Sequence, residues 1–142
     1  MQSNLLDSIK EHEGYSKYAY KDSLGYLTIG FGRCIDKIKG KGLTLSEALI
    51  LLQNDIYECS RQLEPFVFYQ QLDSVRKDVL VEMCFNMGID SLLEFKNMIN
   101  NLKNKNFQGA STEMRSSKWA TQIGKERLYD LCYRMLYGRY QS

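Results

Sequence analysis

The chain has 142 residues, 44% of them apolar and 25% charged, with a single proline and a formal charge of +2. At that length about two thirds of the unfolded surface can be buried, so one domain with a real core is expected and disorder is not. The near-neutral charge argues against nucleic acid as a partner. Four cysteines without a C-x-x-C pair, beside the lone His12, argue against a metal site, so no cofactor is expected.

Residues 4–13 predict a short helix in which Leu5, Leu6 and Ile9 share a face, Asn4 or Ser3 caps the start and Gly14 supplies the stop. Glu13 stands four residues after Ile9, which puts it on the same stripe at the helix end, where the macrodipole disfavours negative charge. The N-terminal stretch offers too short an apolar run for an export signal or a membrane anchor. The expected location is therefore a cytosol, until another agent releases the protein.

The period then changes. Tyr18-Ala19-Tyr20 and Tyr26-Leu27-Thr28-Ile29 flank Asp22-Ser23-Leu24-Gly25, a hairpin pattern with its loop at Ser23 to Gly25. In that register Asp22 faces Tyr26 and Tyr20 faces Thr28, so Asp22 and Thr28 lie on one face. Taken singly, Asp22 is an ordinary turn former and Thr28 an ordinary strand residue. Arg33, Lys37, Lys39 and Lys41 follow in a glycine-bearing connection, read either as a solvated loop or as a surface that meets an anionic polymer.

Beyond Gly42 every segment reads as helix. Thr44-Leu45-Ser46-Glu47 is a capping box that opens a long helix with a stripe of Leu45, Ala48 or Leu49, Leu52, Ile56, Cys59 and Leu63, ended by Pro65. A second helix starts near Asp73, carries Val75, Val79, Leu80, Met83 and Met87, and stops at Gly88. Ser91-Leu92-Leu93-Glu94 reads as another capping box, followed by Phe95, Met98, Ile99 and Leu102. Shorter stripes (Phe107, Ala110, Met114, then Leu128, Leu131, Cys132, Met135 and Leu136) complete the chain. Cys59, Cys84 and Cys132 act here as small apolar residues, so all four thiols, Cys34 included, are expected to be free.

One constellation carries chemistry. Glu13 ends a helix, Asp22 follows after eight residues, and Thr28 after a further five. His12-Glu13-Gly14, Tyr20-Lys21-Asp22 and Gly25-Tyr26-Leu27-Thr28-Ile29-Gly30-Phe31-Gly32 are similar to the E-G, Y-x-D and G-x-x-T-I-G-x-G elements of the phage-type lysozymes, the endolysins or muramidases, in order and spacing. Leu72-Asp73-Ser74-Val75-Arg76, Phe85-Asn86-Met87-Gly88, Phe95 and Ser117-Lys118-Trp119 extend the resemblance, which runs from about Leu6 to Gln122. It implies an α+β, mainly helical fold: one domain over 1–142, with a small β lobe at 15–42 and a helical lobe of 1–14 and 43–142, joined by a long helix beside a cleft. It further implies catalytic roles for Glu13, Asp22 and Thr28, cleft contacts from Phe85 and Asn86, and hydrolysis of the β-1,4 bond between N-acetylmuramic acid and N-acetylglucosamine in bacterial peptidoglycan. Host lysis, release through a holin and a monomeric state are the accompanying expectations.

Two departures from the best-known member stand out. Only ten residues separate Arg33 from Thr44, which trims the small lobe, and Arg33 stands where that member has histidine. Arg127, then Lys125, are the candidates for a cation beside Glu13.

The residue types suit the implied reaction. Cleaving an acetal between sugars needs one carboxyl that holds a proton and another that is ionised at the same pH. Glu13, on an apolar stripe at a helix C-terminus, is expected to keep its proton through desolvation and the dipole; Asp22 on a hairpin is expected to be ionised. Thr28 can hold a water through its hydroxyl. A base on the face opposite the acid gives inversion. A lytic transglycosylase needs no such base, and a wall- or DNA-binding module needs neither carboxyl; these are the competing readings.

Overall fold

The computed structural model describes residues 4–142, so Ser3, the alternative cap, lies outside the described residues. Helix α1 covers Leu5–Glu13, with the Asn4 side chain accepting from the Asp7 N–H at 2.9 Å. Gly14 closes it at φ +72°, its N–H bonded to the Lys10 carbonyl at 3.0 Å. Strands β1 (Ser16–Lys21), β2 (Leu27–Gly30) and β3 (Arg33–Cys34) form an antiparallel sheet in the order β1-β2-β3. Tyr20 pairs with Thr28 and Lys21 with Leu27, the register read from the sequence, with a bulge between Ser16 and Tyr20.

Strand β3 is a correction to the sequence reading, which left Arg33 and Cys34 in a connection. Thr28 pairs with Cys34 and Ile29 with Arg33. A two-residue strand is too short to show any alternation. Arg33 also leaves the expected basic cluster, because its guanidinium is spent on Glu47 at 3.0 Å and on the Gly42 carbonyl at 3.0 Å.

Helix α2 spans Leu45–Leu63 and opens with the expected capping box: the Thr44 N–H donates to Glu47 Oε1 at 2.9 Å and the Glu47 N–H to Thr44 Oγ1 at 3.2 Å. Two short elements went unread, α3 (Val67–Gln70) and a 3₁₀ turn at Trp119–Thr121, each too brief for a period to emerge. Helix α4 (Ser74–Met87) starts at Asp73, whose side chain accepts from the Arg76 N–H, and ends at Gly88 with φ +86°. The capping box expected at Ser91 is not formed. Ser91 lies inside α5 (Ile89–Leu93), and α6 (Lys96–Lys103) begins after Phe95 without a side-chain cap. The positive φ of Gly88 lets a new turn start three residues earlier than the Ser-x-x-Glu spacing suggested. Helices α7 (Phe107–Arg115) and α8 (Lys125–Tyr137) complete the chain.

The chain divides into two compact units, the described residues up to Leu51 and Leu52–Ser142. In the first, Thr28 is the buried residue among those described, and Leu5, Leu6, Ile9, Leu45 and Leu49 are exposed although they share the predicted stripes. In the second, one hydrophobic core gathers Leu63, Leu80, Met83, Leu92, Met98, Met114, Leu131 and Met135, with α8 packed on α7 and α4. Arg76 reaches from α4 to the carbonyls of Met135 (2.7 Å) and Leu136 (2.9 Å), satisfying acceptors that the end of α8 leaves open. Cys34, Cys59, Cys84 and Cys132 are unpaired. No helix among the described residues is long and apolar enough to cross a membrane.

Candidate active site

Three of the five predicted site residues, Glu13, Asp22 and Thr28, belong to the first unit, and two structural devices hold them. The first is the β1–β2 turn. Asp22 Oδ1 accepts the N–H groups of Leu24 and Tyr26, both at 2.9 Å, and the Asp22 N–H donates to the Tyr26 carbonyl at 2.9 Å. One carboxylate oxygen is thus committed to the turn, while Oδ2 makes no hydrogen bond to the described residues. The turn-forming reading of Asp22 and the chemical one are compatible, since each uses a different oxygen.

Thr28 hangs on the same peptide. Its hydroxyl donates to the Tyr26 carbonyl at 3.1 Å, and the residue is 4% exposed. With its proton spent there, Thr28 Oγ1 offers lone pairs only. Tyr26 therefore links both residues, through its N–H to Asp22 and through its carbonyl to Thr28.

The second device is the turn between β2 and β3. The Glu13 carboxyl lies against Gly32, so closely that a Cβ on Gly32 would meet Glu13 Oε2 at 2.5 Å. Beside it the rings of Tyr15 and Phe31 pack with centroids 5.6 Å apart, tying the chain just after α1 to that turn. The burial expected for Glu13 is not observed: the residue is exposed, as are Leu5, Leu6 and Ile9 of its stripe. Helical spacing aligns a carboxyl with apolar neighbours but supplies nothing to cover them. Gly32 is the site residue that the sequence reading missed; only its place in the glycine motif hinted at it.

Phe85 and Asn86 lie near the end of α4, in the second unit. Asn86 Oδ1 accepts from Trp119 Nε1 at 2.7 Å, and Trp119 in turn meets Phe95 edge-on at 6.0 Å. This bond orients the Asn86 amide and leaves its N–H groups to face outward. Phe85 is exposed. Arg127, the candidate cation for Glu13, donates from Nε to Glu82 at 2.9 Å, and Glu82 also takes Arg134 at 3.5 Å. No group of three or more potential metal ligands occurs among the described residues.

The strongest ionic feature of the first unit is structural. Arg33 holds the Glu47 carboxyl well below the usual carboxylate range, at about 2, with the Thr44 N–H adding to the effect. The pair fastens β3 to the start of α2.

The chain is also similar to known proteins. Residues 10–135 match the family model described as phage lysozyme. Two proteins of Dictyostelium discoideum, "Probable T4-type lysozyme 1" and "Probable T4-type lysozyme 2", are 29% and 30% identical to the chain, over 86% and 88% of it and 88% and 89% of their own lengths. A "SAR-endolysin" of Bacteriophage PS34 is 26% identical over 80% of the chain and 66% of its own length. The match across nearly the whole chain, on an α+β fold whose hairpin carries Asp22 and Thr28 in the expected register, establishes that this chain belongs to the phage lysozyme family and is a glycoside hydrolase of the lysozyme type.

Proposed function

We propose that the protein hydrolyses the β-1,4 bond between N-acetylmuramic acid and N-acetylglucosamine in bacterial peptidoglycan, with inversion, for lysis of the host cell. The observation that carries this reading is the pairing of a fixed and an available oxygen on Asp22. Oδ1 locks the turn through two N–H groups, and Oδ2 is left to accept a proton from water. Glu13 gives its proton to the glycosidic oxygen as the bond to the anomeric carbon breaks. A water attacks that carbon from the opposite face and passes its proton to Asp22, so the products are a free hydroxyl and a hemiacetal of inverted configuration. Thr28 Oγ1, restricted to accepting, takes a hydrogen bond from the water's other O–H, which stays in the product, and so aims the water's lone pair at the anomeric carbon.

Phe85 and Asn86 serve as sugar contacts, the exposed ring against a pyranose face and the outward amide N–H groups toward hydroxyl or acetamido oxygens. The chain acts as one lysozyme domain and as a monomer. It waits in the host cytoplasm until a holin lets it reach the wall.

The test is digestion of purified peptidoglycan by wild type and Glu13→Gln, with mass spectrometry of the fragments and NMR of freshly formed reducing ends. Hydrated muramic acid ends of inverted configuration, made by wild type and lost in Glu13→Gln, are the expected result. Anhydro ends would replace this reading with a transglycosylase, and an active Glu13→Gln would remove Glu13 from the chemistry.

A further inference from the structure

From the approach of Glu13 to the β2–β3 turn, we infer that Gly32 is a positioning residue for the general acid: the bare backbone of Gly32 is the seat against which the Glu13 carboxyl is set. This rests on the reading of Glu13 as the acid. A Cβ at position 32 would stand 2.5 Å from Oε2, 2.9 Å from Cδ and 3.3 Å from Cγ of Glu13, so three consecutive atoms of the side chain lie along it. The carboxyl oxygen would have to withdraw by about 0.9 Å to regain an ordinary contact of 3.4 Å. The turn cannot easily retreat instead, because Tyr15 and Phe31 clamp it to the segment that follows α1, with centroids 5.6 Å apart.

Gly32 also has φ +81°, a conformation that other residues adopt only with strain. Its glycine therefore answers two separate demands, one of the backbone and one of the space that Glu13 occupies. Gly30 separates them. It has φ +69°, in the same glycine motif, but nothing lies within 4 Å of the position its Cβ would take. Gly30→Ala pays the backbone strain alone, whereas Gly32→Ala pays it and displaces the carboxyl.

A displacement of that size at a proton donor costs about a hundredfold in rate when the reacting groups are otherwise aligned. The experiment measures kcat and KM on soluble peptidoglycan fragments for wild type, Gly30→Ala, Gly32→Ala and Glu13→Gln. Thermal melting and the ¹³C carboxyl resonance of Glu13 are recorded for the two glycine variants. The expected result is similar melting for both, a shifted Glu13 resonance in Gly32→Ala alone, and kcat lowered ten- to a hundredfold in Gly32→Ala with KM within about twofold.

Equal kcat in the two glycine variants, or an unmoved resonance in Gly32→Ala, would overturn the inference. Full activity of Glu13→Gln would overturn the acid assignment itself, and the resonance would still report whether Gly32 sets the carboxyl. If Gly32→Ala does not accumulate folded, Phe31→Leu carries the test. Loss of the ring clamp without backbone strain should lower kcat by about threefold or more at unchanged KM, and an unchanged kcat would overturn the inference.

Discussion

Thr28 allows holding the fold and serving the reaction to be weighed against each other, because its methyl only packs while its hydroxyl both bonds the Tyr26 carbonyl and is the group proposed to hold the water. Thr28→Val replaces the hydroxyl by a methyl of the same shape and removes the 3.1 Å bond to the Tyr26 carbonyl. That carbonyl keeps the Asp22 N–H at 2.9 Å, so no orphaned acceptor is left. The stability cost is therefore that of one neutral hydrogen bond, about 1 kcal/mol, or about 4 °C in Tm for a chain of this size. If Thr28 orients the water, kcat should fall by about ten- to a hundredfold, equivalent to roughly 1.4–2.8 kcal/mol of barrier. A protein with about 5–15 kcal/mol of stability stays folded through the first loss, so the second cannot be explained by unfolding.

Thr28→Ser runs the opposite way. It keeps the hydroxyl, deletes a methyl from a residue that is 4% exposed, and should cost about 1 kcal/mol of stability while retaining most of the activity. The assay is kcat on peptidoglycan fragments beside melting curves for both variants. A fully active Thr28→Val, or a Thr28→Ser slower than Thr28→Val, would refute the water-orienting role and leave Thr28 a strand residue.

Two further outcomes test the site and its frame. Asp22→Asn retains an Oδ1 that can accept from Leu24 and Tyr26, so it should abolish turnover with Tm changed by about 2 °C or less, whereas Asp22→Ala loses both bonds and about 1–2 kcal/mol as well. Turnover by Asp22→Asn near the wild-type rate would remove Asp22 as the base. Glu47 carries a pH signature: its carboxyl is held at about 2 against an ordinary 4.5, first by Arg33 and then by Thr44, so its folded form binds the proton less readily than the unfolded chain. Its contribution is complete above about pH 4.5 and is lost as pH falls toward 2, and Glu47→Gln should flatten the fall of Tm across that window. Parallel slopes for wild type and variant would show that the Arg33 pair contributes nothing to folding.

Much of the architecture was legible because it is local. The Thr44–Glu47 box, the helix start near Asp73, the stop at Gly88 and the Asp22–Tyr26 turn each need only neighbours within four residues, and each formed as read. The failures have other causes: a competing local signal, an element too short to show a period, or a partner far away in sequence. Ser91 carries the spacing of a cap, but helix α5 begins at Ile89 after the positive φ of Gly88 and absorbs it. Arg33 reads as one cation among four until its partner, fourteen positions away, is seen to be Glu47.

The same division runs through the site. The order and spacing of the motif elements, through their resemblance to the family, singled out the side chains proposed to carry the chemistry: Glu13 at a helix end, Asp22 at a turn and Thr28 two residues beyond the turn's closing peptide. Helical and strand periods then gave the faces on which those residues lie. Tertiary structure alone decided what meets those faces. It left Glu13 exposed instead of desolvated, buried Thr28, and set Gly32 against the Glu13 carboxyl. A period specifies the direction in which a side chain points; the distance to whatever lies in that direction depends on segments far away in sequence, and no local pattern encodes it.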